Sequence, residues 1–237
     1  MIKLINNEFN KIKKSKVIFT YILLIIVLFL MNKYSDKDIY SLSYYLIPII
    51  GIIVCILFSS TICGELERGT LRYYLTKPFK RWKIYVSKIL CMIIYILFGI
   101  IVVVMTTCLI GKFFDMDYLS KFFLYCIPIL FIGVFCIYLS TIIKSQVFVS
   151  CFSILTLCFS LIVSQTLFGF NIRFIEYTFL PYLDYSIFDD KNIIINMNKE
   201  LGVHLSLNRG IIIDLVFIFI FFIVGILKFN KKDIKSM

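Results

Sequence analysis

The chain has 237 residues, of which 61% are hydrophobic and 17% aromatic, with a formal net charge of +11. Several almost uncharged runs reach about 20 residues, the length that crosses a ~30 Å hydrocarbon core as a helix. Such a composition excludes a soluble enzyme domain, and runs that are apolar all round exclude the alternating pattern of a β-barrel, so the expected fold is all-α and polytopic. The whole chain reads as a single transmembrane domain.

All eight cysteines lie inside apolar runs without a Cys-x-x-Cys pair, and there is a single histidine, His204. They read as small buried hydrophobes, not as a disulfide frame or a metal site. Alanine is absent while Ile, Phe, Lys and Asn abound, a bias expected of an AT-rich, low-GC bacterial genome.

Residues 1–16 place Ile2, Ile5, Phe9 and Ile12 on one stripe, with Lys3, Lys11, Lys13, Lys14 and Lys16 elsewhere. This spacing predicts a basic amphipathic helix lying on the membrane surface. The alternative is the charged start of a signal peptide; a chain without alanine has no Ala-x-Ala site, although other small residues can serve. Six spans follow, at about residues 17–32, 44–63, 84–110, 122–143, 147–170 and 210–227. The fourth and fifth are joined by only Lys144, Ser145 and Gln146, a link short enough to force an antiparallel hairpin. Pro48 and Gly51 mark a kink in the second.

With six spans both termini share a side. The amino-terminal segment, residues 64–88, Lys144 and the tail carry 17 of the 25 Lys and Arg residues. The positive-inside bias therefore places both termini and residues 64–83 in the cytosol of a cell membrane. That charge is read as facing anionic lipid head groups rather than nucleic acid.

Residues 65–88, ELERGTLRYYLTKPFKRWKIYVSK, form the one long polar stretch between apolar runs that holds both acids and a dense set of bases. If residues 65–76 are helical, Glu65, Arg68 and Arg72 share a face, and Gly69 weakens the middle by ~1 kcal/mol, so a bent element is expected. Pro78 suits the first turn of the next helix, and Trp82 suits interface depth. The ordered positions Glu65, Glu67, Gly69, Thr70, Leu71, Pro78, Arg81 and Lys88 resemble the signature of the ABC type-2 permease family, the membrane subunits of ATP-driven exporters. Lys80 and Ser87 depart from it, standing where the family commonly has Ser and Gly.

The resemblance implies that this region is a coupling helix seated on a separate nucleotide-binding subunit. Glu65 and Glu67 would then pair with that subunit's bases, and Arg68 and Arg72 with its acids or with lipid. Gly69 and Thr70 would supply a bend, and Pro78, Arg81 and Lys88 the start of the third span. The chain itself carries no cofactor: residues 64–69 have Gly-x-x-x-x-Gly spacing but lack the following Lys, so ATP and magnesium are expected on the partner. A second copy or a sister permease would complete the pathway. Length and layout are most similar to small permeases that protect low-GC bacteria against bacitracin or lantibiotic peptides.

Asp214 is the one acid inside a span, near its outer end. An intramembrane carboxylate is a candidate proton or substrate contact; its nearness to the surface favours a carboxylate reaching water or Arg209. Residues 171–209 alternate aromatics and acids, which suits an outer interfacial segment broken at Pro181. The rival readings are a secondary transporter or channel, which should show paired intramembrane charges, and a non-transporting membrane anchor for an ATPase. An intramembrane metalloenzyme finds no ligand set.

Overall fold

Uncharged runs in this chain fold as helices because a backbone without water around it must satisfy its own N–H and C=O groups. The computed structural model describes residues 2–14, 22, 25–27, 29–30, 46–70, 80–111, 124–170, 172–185, 188 and 191–231. Among these there is no strand.

Helix α1 is Ile2–Lys14, α2 is Leu46–Ser59, α3 is Arg81–Gly111, α4 is Cys126–Ile142, α5 is Gln146–Gly169, α6 is Lys191–Leu201 and α7 is Leu207–Lys231. Among the described residues, four helices are long and apolar enough to cross a membrane: Pro48–Glu67, Arg81–Leu109, Gln146–Gly169 and Leu207–Lys231. Helix α4 has 17 residues, about 26 Å at 1.5 Å per residue. Of the expected first span, Ile22, Ile25, Ile26, Val27, Phe29 and Leu30 are helical, and the remainder lies outside the described residues.

Helix α4 is the centre of the bundle. It packs most extensively on α7 and α2, and also on α3 and α5. Gly133 makes that possible: a Cβ there would meet the Met92 sulfur of α3 at 2.4 Å and Val54 of α2 at 3.2 Å. A larger residue there would force the Met92 side chain to move. The α4–α5 link is the expected hairpin, with Ser145 capping α5 by accepting from the Phe148 amide at 3.4 Å.

The second helix runs further than hydropathy predicts. After Ser59 it continues through a π-helical turn, Ser60–Gly64, and a last α-turn, Glu65–Glu67. The widened turn has a local cause. Three successive hydroxyls, Ser59, Ser60 and Thr61, donate to the carbonyls of Ile56, Leu57 and Phe58 at 3.0, 2.6 and 2.7 Å, and such bonds compete with the helical ladder.

Between α5 and α7, the described residues include two 3-10 turns, Arg173–Tyr177 and Leu180–Tyr182, followed by α6. Pro181 sits in the second turn, as a break requires. Phe179 inserts its ring between α4 and α7, 4.7 Å from Phe131 and 5.3 Å from Phe217 between ring centres. All eight cysteines are free; Cys151 and Cys158 are exposed on α5, so not every one is the buried hydrophobe expected.

Candidate functional site

The described residues singled out between Glu65 and Lys88 gather at one end of the bundle, and the structure adds two that were not foreseen. Glu8 and Lys11 lie one turn apart on α1, with Lys11 Nζ donating to Glu8 Oε1 at 2.9 Å. Lys11 also reaches Glu65 Oε1 at 2.5 Å. Lys88, on α3, donates to Glu65 Oε2 at 2.8 Å and to Glu8 Oε2 at 3.1 Å. Two acids and two bases thus alternate in a closed, neutral ring that ties α1, the end of α2 and the start of α3.

The ring is buried. Glu8 and Glu65 are 5% and 8% exposed, and the Lys88 side chain has no exposed surface. Burying an ammonium costs several kcal/mol unless its protons are used. Lys88 spends all three, the third on the Thr61 carbonyl at 2.8 Å within the π-helical turn. Burial alone would raise the Glu8 carboxyl, but the charges of Lys88 and Lys11 outweigh it and hold the group below the usual carboxylate range. Burial would likewise lower Lys11, and Glu65 with Glu8 push it above the usual lysine value instead.

Glu65 is thereby committed inside the chain, where the sequence reading had it facing a partner's bases. The element also differs from the expected one. Residues 65–67 end the second helix rather than begin a separate one, and Gly69, at φ +67°, turns the chain out of it. The Gly69 amide donates to the Leu66 carbonyl at 3.0 Å, the left-handed stop that favours glycine. Thr70 donates to the Glu65 carbonyl at 3.3 Å. Arg68 is exposed just before the turn. Leu71, Arg72 and Pro78 lie outside the described residues.

Glu67 and Arg81 tie the same end to the other helices. Glu67 Oε1 accepts from the Gln146 amide at 3.0 Å, the first residue of α5, where a helix N-terminus favours an anion. Beside it the Cys63 thiol donates to the Ile143 carbonyl at 3.1 Å. Arg81 Nη1 donates to the Asn230 carbonyl at 3.0 Å, in the last turn of α7.

Leu4 and Glu8 of α1 are buried against the bundle, whereas Phe9, from the apolar stripe, is 43% exposed, so the ring and the stripe use different sides of the helix. One signal could have found this: Glu8 is the single acid of an otherwise basic helix, and Lys88 the single charge within the third run.

At the opposite end, Arg209 pairs with Glu176 and donates to the His204 carbonyl at 2.9 Å. Asp214 does not reach it or water, as was expected: it has no exposed surface, and its Oδ2 accepts from the Tyr185 hydroxyl at 2.9 Å. His204 is exposed, with its amide donating to Glu176 at 3.0 Å.

No curated protein matches the chain. The match of a family model over residues 18–235, which takes in the second to fifth helices, the outer segment and the last helix, places the chain in the family described as proteins of unknown function, DUF2705.

Proposed function

We propose that this chain is the membrane permease subunit of an ATP-driven exporter, coupled to a separate nucleotide-binding subunit through residues 65–83. The observation that carries the reading is the convergence of the signature residues. Glu65 and Lys88 join in one ion ring, Glu67 holds α5, and Arg81 holds α7. A displacement applied near the Gly69 turn would be felt by α1, α3, α5 and α7 together, which is what a coupling element must achieve.

The chain crosses the membrane six times in this reading. Helix α1 meets Glu65 at the charged end, while Leu46 begins α2 a full helix length away from it. With α4 counted as a short span, the charged end takes both termini and faces the bacterial cytosol, by the excess of Lys and Arg there. The apolar faces left exposed on α5 and α7, including Phe152, Phe159, Ile212 and Phe219, suit lipid or a second permease copy. Amphipathic cargo such as a bacitracin- or lantibiotic-like peptide fits a bundle with few intramembrane charges.

Affinity purification of the tagged chain from its native membrane tests this. An ATPase subunit is expected to accompany it, and Arg68→Glu, at an exposed position, should remove that subunit by at least about tenfold, or ~1.4 kcal/mol, without lowering the amount of chain inserted. Purification without any nucleotide-binding subunit would reject the reading.

A further inference from the structure

Asp214 lies eight residues into α7, about 10 Å along the helix from Leu207. Its carboxyl is enclosed on every side. Oδ2 accepts from Tyr185, and Oδ1 has no hydrogen-bond partner among the described residues. A carboxylate so placed has lost water and gained one hydrogen bond, which does not offset the burial of a full charge.

Among the described residues, the groups around it supply no counter-ion. On its own helix, Arg209 is taken by Glu176 and by the His204 carbonyl, and its guanidinium stands over the Tyr177 ring at 5.8 Å. The outer segment offers Tyr185 and Tyr182, both uncharged, and Glu176, whose charge opposes another anion. Tyr125, just before α4, lies against Tyr185, with ring centres 6.4 Å apart. Helices α2 and α5 carry no charged residue, and the bases of α3 sit at its far end. Nor is the site accidental packing. Tyr182 is fully buried over Gly210, where a Cβ would meet its ring at 2.6 Å, and its hydroxyl donates to the Glu176 carbonyl at 3.2 Å. The outer segment is fastened as a cover over this acid.

We propose that Asp214 is a proton-binding site, holding a proton while Tyr182 and Tyr185 cover it and yielding that proton to outside water when the outer segment lifts. A proton is the one ligand that fits without room being made for it. Lifting and release are then linked: a cover that docks only over the neutral acid is loosened by whatever removes the proton, and a displaced cover lets the acid ionise. The inference does not use the coupling to an ATPase; it takes from the proposed function only the side of the membrane that this end of the bundle faces.

The test is infrared difference spectroscopy of the purified full chain in lipid nanodiscs, comparing H2O with D2O at neutral pH. A protonated-carboxyl stretch that shifts in D2O is expected in the wild type and in Glu176→Gln, and should be lost in Asp214→Asn. No such band in the wild type, a band that survives Asp214→Asn, or one lost in Glu176→Gln overturns the assignment. Should Asp214→Asn not fold, carbon-13 NMR of wild type labelled at aspartate carboxyls must show one carboxyl still protonated after the others have titrated. Trypsin cleavage after Lys191 and Lys199 should rise several-fold at the alkaline pH where the signal disappears. A cleavage rate that does not follow the signal overturns the link to the cover.

Discussion

Lys88 shows how a lysine can sit without exposed surface near the start of a long apolar helix. Its three protons go to Glu8, Glu65 and the Thr61 carbonyl, so removing any one acceptor leaves charge behind. Glu8→Gln is expected to cost about 3–5 kcal/mol, the range for breaking a buried pair from one side, whereas Lys11, which is partly exposed, contributes about 0–1 kcal/mol. The pH dependence follows from the directions of the two shifts. Glu8 is depressed in the folded chain, so its stabilisation is complete above the ordinary carboxylate value and lost as pH falls through its lowered one. Lys11 is raised, so its share is complete below the ordinary lysine value and lost as pH climbs through the raised one. Thermal melting in nanodiscs across pH should therefore show a plateau through neutrality and an acid limb that Glu8→Gln flattens; an unchanged acid limb would show that the ring does not set it.

Helices α2, α3, α5 and α7 were legible as runs of about 20 or more residues with almost no charge, and their order and antiparallel pairing follow from the links between them. Where α2 ends was not legible, because hydropathy stops near Gly64 while the hydrogen-bond ladder runs on through Glu67, whose neighbour Glu65 is neutralised from outside its own helix. The stop itself is encoded in Gly69. At φ +67° an alanine pays about 1–2 kcal/mol, so Gly69→Ala should lower the melting midpoint and Gly69→Asn should recover most of the loss. Equal midpoints for all three variants would mean that the turn does not constrain the fold. The ion ring was half legible: Glu65 and Lys88 stand out locally, but Glu8 is 80 residues from its partner, and no periodicity links positions so far apart. Asp214 was visible as an oddity; its covering tyrosine was not, since nothing in residues 171–209 says which ring turns inward.

Across the whole molecule the two ends differ in kind. One end is laced by charges that join α1, α2, α3, α5 and α7; the other is closed by aromatic rings from the outer segment, with Phe179 wedged among Phe131, Phe217 and Phe221. If the charged end faces the cytosol, single cysteines placed at Arg68 and at Lys199, in a background with the native cysteines replaced by serine, should label from opposite sides of sealed vesicles. Labelling of both from one side would remove the six-span arrangement and the orientation with it.

The ring also imposes an order on biosynthesis. Glu8 and Lys11 leave the ribosome first, Glu65 follows much later, and Lys88 comes last, so the loop of four charges cannot close until the start of α3 has been made. A nascent chain halted before Lys88 would leave its two acids sharing Lys11 alone, a recognisable mark of an unfinished product for membrane quality control.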